Sequence, residues 1–243
     1  SLEGHYQEEH LFTLRQSVEL YDVYQQQIAC CDAAIQTQLG RMESIGNKDA
    51  PPPRKKPKIK GGPDFDVRGE PYRMTDVDLT RIDGLNETSV LKILAETGTE
   101  TSPWPTEKHF ASWMGLSPGN KITGGKILSG KTKPSANRAA AAFRMAAYGL
   151  SNSKSALGAF YRRQRARLGS PKAITATAHK LARIFYSMLK NGEAYVDQGQ
   201  DYYEKQYRDR VTKNLRKKAV SLGFDIVPRA TDNDLQNPVL SSG

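Results

Sequence analysis

The chain has 243 residues, enough for one large domain or two small ones, but only 37% are hydrophobic, which favours a multi-part molecule over one compact globule. Its 36 Lys and Arg outnumber 26 Asp and Glu, for a net charge of +10, and no apolar run approaches the ~20 residues of a membrane span. These features exclude a helical membrane protein and point toward a polyanionic partner. Cys30 and Cys31 are adjacent, cannot form a metal site alone and rarely pair as neighbours, so a reducing cytoplasm is expected. The sequence opens at Ser1 without a Met and reads as a piece of a longer protein.

Charge is unevenly spread. Residues 1–53 carry three basic groups against eight acidic ones, a net of −5, so the remainder carries +15. From Gly119 to Lys190 there are fifteen Lys or Arg and no Asp or Glu. Such a one-sign stretch repels itself unless an anion supplies the counter-charge. A membrane surface would need a Trp/Phe/Leu face that these segments lack, so nucleic acid is the expected partner.

Leu11, Leu14, Val18, Tyr21, Ile28, Ile35, Leu39 and Met42, with Gln25 and Asp32, recur at alternating spacings of three and four. That heptad stripe predicts a coiled-coil helix over 1–45, joining copies as a dimer or tetramer; the alternative is an amphipathic helix packed on its own domain. Residues 46–74 contain Pro51-Pro52-Pro53 and the basic run Arg54–Lys60, and read as a Pro/Gly-rich linker that could lie along phosphates.

From 75 to 227 the pattern predicts a compact helical domain. Leu79 to Ser89, with Gly84 and the apolar run Val90, Ile93, Leu94, resembles a helix-hairpin-helix start, with Asn86 standing where a second glycine is usual; the alternative is an ordinary αα-turn. Helices are expected at Glu107–Met114, at Ala136–Leu150 capped by Ser135, at Ser155–Leu168, at Pro171–Lys190, and near Asp201–Leu222 with a buried stripe of Tyr203, Tyr207, Val211, Leu215 and Ala219. The tail 228–243 reads as unstructured, and the fold class is mainly α.

The segment Lys121–Lys133 combines glycines, hydroxyls and four lysines between two helices. Glycine lets backbone approach a phosphate, lysine neutralises it, and a hydroxyl can attack it. It lacks the spacing and preceding strand of a P-loop, and a hairpin is its only strand candidate. No carboxylates converge near it in sequence, and His179, on a basic helix, reads as a surface or core residue, so no metal site is expected here.

The run Phe110–Lys121, then Thr123-Gly124-Gly125-Lys126, Asn137-Arg138-Ala139-Ala140, Lys172–Lys180 and Tyr202–Tyr207 together resemble the C-terminal transposase domain of the bridge-RNA-guided, RuvC-like DEDD insertion-sequence transposases. The resemblance implies DNA and a structured guide RNA as partners, and a RuvC-like domain of the same protein supplying carboxylates and Mg²⁺. It also implies a bacterial, nucleoid-associated location and a covalent protein–DNA bond through a serine in a Ser-Gly-Gly type turn. Here that position is Thr123, whose β-methyl crowds in-line attack; Ser129 is the other candidate, and the nucleophile could be neither. Without the RuvC-like part, the resemblance implies no metal-dependent activity. Lys121, Lys126, Lys131 and Lys133 would surround the scissile phosphate, with Arg138 and Arg144 on the following helix and Arg162, Arg163, Arg165 and Arg167 holding backbone further out. The alternative reading is a non-catalytic nucleic-acid-binding and oligomerisation module.

Overall fold

The computed structural model describes residues 4, 7–45, 62–63, 65–193 and 195–227. The basic run Arg54–Lys60 and the tail from 228 lie outside the described residues. The protein is mainly helical, as its periodicities require: a long N-terminal helix α1 (Glu8–Gly40) precedes a helical domain. That domain holds α2 (Gly69–Thr75), a 3-10 turn Leu79–Arg81, α3 (Glu87–Thr97), α4 (Glu107–Trp113), strands β1 (Lys121–Thr123) and β2 (Lys126–Ser129), α5 (Arg138–Gly149), a 3-10 turn Leu150–Asn152, α6 (Ala156–Leu168), α7 (Ser170–Asn191) and α8 (Gly199–Ser221).

Helix α1 stands largely in solvent. Its 33 residues span about 50 Å, and along it only Leu39 is buried, with Asp32 half-buried. The heptad positions Leu11, Leu14, Val18, Tyr21, Ile28, Ile35 and Met42 are all exposed. The helix is held at its C-terminal end. Arg73 donates to the carbonyls of Leu39 and Met42 at 2.7 and 2.9 Å, and is itself fixed by Glu70 at 2.8 Å. At a helix end short of backbone donors, Arg73 adds a second donor to the Leu39 carbonyl, which also accepts from Met42 N at 3.0 Å, and reaches the Met42 carbonyl beyond it.

The end of the segment read as linker is therefore folded. Pro71, Met74 and Thr75 of α2 are buried, and Met74 joins the main core. Pro71 sits in the first turn, where its missing N–H costs nothing. Arg68 and Asp78, each 13% exposed, pair at 2.8 Å beneath this helix, and Asp78 also caps the following 3-10 turn through the Thr80 N–H.

Asn86 does not take the left-handed conformation that a second hairpin glycine would. Its φ is −107° and its side chain caps α3 by accepting from Ser89 N at 2.8 Å, while Gly84 alone supplies the positive φ of this turn. The cap of α5 also differs from expectation. Asn137 accepts from Ala140 N at 2.9 Å, and Ser135 instead accepts from Asn137 N, so the helix starts at Arg138.

The core gathers around α7, which packs against α4, α5 and α6. Leu181, Ala182, Phe185 and Tyr186 lie on its inner face. Phe185 meets Phe143 of α5 edge-on at 5.5 Å and stacks with Phe110 of α4 at 6.4 Å, and Phe110 meets Trp104 edge-on at 4.9 Å. Tyr186 donates to the Trp104 carbonyl, closing the loop before α4 over the core. Small residues Ala139, Ala140, Ala146 and Ala147 line the buried side of α5 and allow close helix packing.

The stripe assigned to the last helix is not buried. No residue of α8 is buried; Tyr203 and Tyr207 are half-covered by α6, while Val211 and Leu215 are exposed. The reason is length: α8 crosses α6 with its first half and runs on past it.

Candidate nucleic-acid interface

The glycine- and lysine-rich loop forms a hairpin. β1 and β2 pair antiparallel, with Thr123 opposite Lys126 and Ile122 opposite Ile127, and an irregularity between Lys121 and Ile122. Gly124 and Gly125 have φ of +53° and +75°. Positive φ at both central residues is the pattern of a type I′ turn, whose twist matches that of the strands it joins. The base of the hairpin is pinned by Gly119 N donating to the Lys131 carbonyl at 3.0 Å and by pairing of Pro118 with Thr132. Gly115, at φ +70°, brings the preceding turn against the exit of the loop; a Cβ there would stand 2.7 Å from the Ser135 Cβ.

Thr123 and Lys126 form the closing pair of the turn, and both are exposed. Directly opposed residues share a face of the ribbon, so the hydroxyl and the ammonium project together at the tip. Ser129 lies lower, half-buried, and its Oγ accepts from Lys131 N at 3.3 Å. Ile122 and Leu128 are exposed at 61% and 70%, so the tip carries apolar as well as cationic surface. Lys121 begins β1; Lys131 and Lys133 follow β2 and are exposed. Arg138 is exposed as the first residue of α5, and Arg144 is half-buried two turns on.

Neither α5, α6 nor α7 carries an acidic residue in its first turn, and α5 opens with Arg138. Helices favour negative charge at that end. At α6 that charge comes from outside the helix, where Asp197 Oδ1 accepts from Ala156 N at 3.0 Å.

The arginines of α6 divide into two pairs. Arg162 is used internally: it donates to the carbonyls of Ser151 at 3.3 Å and Ser153 at 2.6 Å, and to Gln200 Oε1 at 2.6 Å. Arg163 lies over the ring of Tyr207, its guanidinium carbon 3.4 Å from the centroid. Both hold α6 to its neighbours. Arg165 and Arg167 are exposed in the last turn, Arg167 bonding Gln164 at 3.0 Å, and face solvent. Of the four α6 arginines, then, two are engaged within the protein and two are exposed.

Beside Arg163 lies a cation–aromatic seam that the sequence reading missed. Lys180 of α7 sits 4.6 Å from the Phe160 centroid and 5.4 Å from that of Tyr203. Burial, with Arg210 and Arg183 nearby, pushes the Lys180 ammonium below its ordinary range. Burial also raises the Tyr203 phenol, partly offset by Arg163 and Arg210. The legible signal was Tyr203 and Tyr207 at helical spacing opposite a basic helix. Arg183 pairs with Glu107 at 2.9 Å, so the one-sign stretch draws one of its acids from α4, outside it.

His179 is half-buried on α7, and burial, then Arg183, lowers its pKa. Among the described residues no group of three or more His, Cys, Asp or Glu is placed to hold a metal, and Cys30 and Cys31 are both exposed thiols on α1. No helix of the described residues is long and apolar enough to cross a membrane.

Residues 78–162 match the family described as Transposase IS116/IS110/IS902 family. The matched stretch runs from the Asp78 cap through the hairpin to Arg162, and contains Thr123, Lys126, Ser129 and Arg138. This similarity supports a transposase-related role in the transposition of an insertion sequence, with DNA as the suggested partner. No curated protein matches the chain.

Proposed function

We propose that the chain is the nucleic-acid-handling part of an insertion-sequence transposase, and that its hairpin presents the hydroxyl for DNA strand exchange. The observation that carries this reading is the closing pair Thr123–Lys126 on an exposed type I′ turn, within the stretch similar to the transposase family. Thr123 Oγ1 attacks the scissile phosphorus in line, a phosphodiester to the protein forms, and the displaced sugar oxygen leaves and takes up a proton. Rejoining reverses these bonds. Lys126, Lys131 and Lys133 oppose the charge that develops on the phosphoryl oxygens, and Lys121 and Arg138 add to the positive field. Ser129 is the second candidate, positioned lower on the same ribbon and tied to Lys131 N.

The remaining partners follow the same reading. A structured guide RNA selects the sequence by base pairing, and the exposed lysines and arginines are suited to holding its backbone and that of DNA. A RuvC-like domain of the same protein supplies carboxylates that hold Mg²⁺, and the exposed heptad seam of α1 joins copies of the chain. Arg144, Arg165 and Arg167 contact phosphate outside the reacting centre. Arg162 and Arg163 act by holding α6 in place, because their guanidinium groups are already engaged.

The test replaces one hydroxyl at a time in the transposase with its guide RNA. Thr123→Val removes the nucleophile while keeping the β-branched shape, and should abolish strand exchange with DNA and RNA binding retained. Exchange that survives Thr123→Val and fails with Ser129→Ala moves the role to Ser129. Exchange that survives both substitutions removes the hairpin hydroxyls from the chemistry and leaves a binding and oligomerisation module.

A further inference from the structure

Helix α1 carries more exposed apolar surface than its heptad seam explains. Phe12, Leu20 and Val23 lie off the seam and are 64%, 57% and 52% exposed. By helical spacing, Glu8, Phe12, Glu19 and Val23 follow one another at intervals of four, seven and four and share one face, with Leu20 beside Val23. This second face is apolar and edged with acid. Over Glu8–Gly40 the helix has five acidic residues and one basic, a net of −4.

Helix α8 is its electrostatic counterpart. Over Gly199–Ser221 it has seven basic residues and three acidic, a net of +4, and Asp209 is its last acid. Beyond the part covered by α6, the positions Arg208, Val211, Leu215, Lys218 and Leu222 alternate at spacings of three and four. Val211, Leu215 and Leu222 are 43%, 54% and 64% exposed. A surface meant only for phosphate has no need of this apolar line, and an acidic helix would be repelled from nucleic acid. The spans agree as well: Glu8 and Glu19 stand about 16 Å apart along their helix, Arg208 and Lys218 about 15 Å along theirs.

We propose that the second face of α1 docks on the free half of α8 from another copy of this chain, with Glu8 and Glu19 set against Arg208 and Lys218 across an apolar seam. The contact is heterologous: each copy offers α1 to a neighbour and receives an α1 on α8. It is distinct from the heptad seam, which lies on another side of α1 and can join like helices at the same time. The proposal goes beyond the strand-exchange reading and needs no reactive hydroxyl.

The test is a charge-swap experiment on the whole chain, read by sedimentation equilibrium. One variant carries Glu8→Lys and Glu19→Lys; the other carries Arg208→Glu and Lys218→Glu. All four positions are exposed, so the helical circular dichroism should not change. Alone, each variant sets like charges against each other and should associate roughly tenfold more weakly. Mixed one to one, each altered helix meets an opposite partner on the other chain, and wild-type association should return. Weakening without restoration on mixing overturns the proposal, because the altered charges then do not face each other across copies. If neither variant alters self-association and only the α8 variant loses DNA affinity, the α8 surface serves nucleic acid and the proposal fails. Ile28→Asp, which breaks the heptad seam alone, separates failure of that contact from failure of this one.

Discussion

Arg73 donates to the main-chain carbonyl of Leu39 at 2.7 Å, and this bond fastens the end of the long helix to the helical domain. The same guanidinium reaches the Met42 carbonyl and Glu70, so one side chain closes α1 and holds α2 at once. Arg73→Met keeps much of the aliphatic packing but removes the guanidinium bonds to both carbonyls, while the Leu39 carbonyl keeps the Met42 N–H. A loss of about 2 kcal/mol is expected. Amide exchange should rise first at residues 39–45, where Ile45 N donates to the Arg73 carbonyl, while exchange in α7 stays slow. Equal acceleration in both regions would mean that α1 and the domain unfold as one unit.

Phe185 is fully buried between Phe110 and Phe143. Phe185→Ala should cost roughly 3–5 kcal/mol, combining lost transfer energy with a cavity. The urea midpoint checks this, and a change under 1 kcal/mol would contradict a core centred on α7.

Two glycines near the hairpin should respond differently. Gly125→Val places a β-branched residue at φ +75°, but nothing lies within 4 Å of its Cβ, so the cost is local strain of roughly 1–2 kcal/mol. The helices should keep their melting temperature while hairpin amides lose protection. Gly115→Val combines φ +70° with a Cβ placed 2.7 Å from that of Ser135, and should lower the melting temperature of the whole domain. If Gly125→Val melts the helices as strongly, the hairpin is part of the cooperative core.

These two sites show how unevenly the fold could be read from residues alone. The starts of α6 and α7 were legible because Ser155 stands directly before the helical run of α6 and Pro171 is at home in the first turn of α7. The start of α5 was not, because Ser135 and Asn137 are both good caps and only tertiary placement decides between them. Helix α2 was hidden by its brevity and by Pro71. The exposure of Val211 and Leu215 could not be read at all, since periodicity says which residues share a face and not what covers it. At the candidate site the hairpin was legible from its glycines. The internal use of Arg162 and Arg163 was not, because their carbonyl and aromatic partners are distant in sequence.

The two uses of arginine on α6 give a direct contrast. Arg167→Ala should weaken DNA binding and reduce the salt slope by about 1 while leaving stability unchanged. Arg162→Ala should lower thermal stability, because it strips hydrogen bonds from the Ser151 and Ser153 carbonyls. Binding isotherms at several salt concentrations, beside melting curves, separate the effects. Reversal of the two outcomes would place Arg162 in the interface.

His179 provides a pH test. Its pKa is lowered in the folded protein, so between the folded value and the ordinary 6.5 the unfolded chain binds more protons. Stability should therefore fall as pH drops below about 6.5 and level off once the folded imidazole is also charged. His179→Gln should flatten this part of the urea midpoint profile. An unchanged slope would assign acid sensitivity to other groups.

The most direct measurement is mass spectrometry of the covalent adduct formed when the transposase, its guide RNA and nicked recombination DNA are trapped and digested. The account predicts a DNA-linked peptide carrying Thr123, with the link lost in Thr123→Val and DNA binding retained. Absence of any DNA-linked hairpin peptide, with tight binding of both nucleic acids, would contradict the catalytic role and leave the chain as a binding and assembly module.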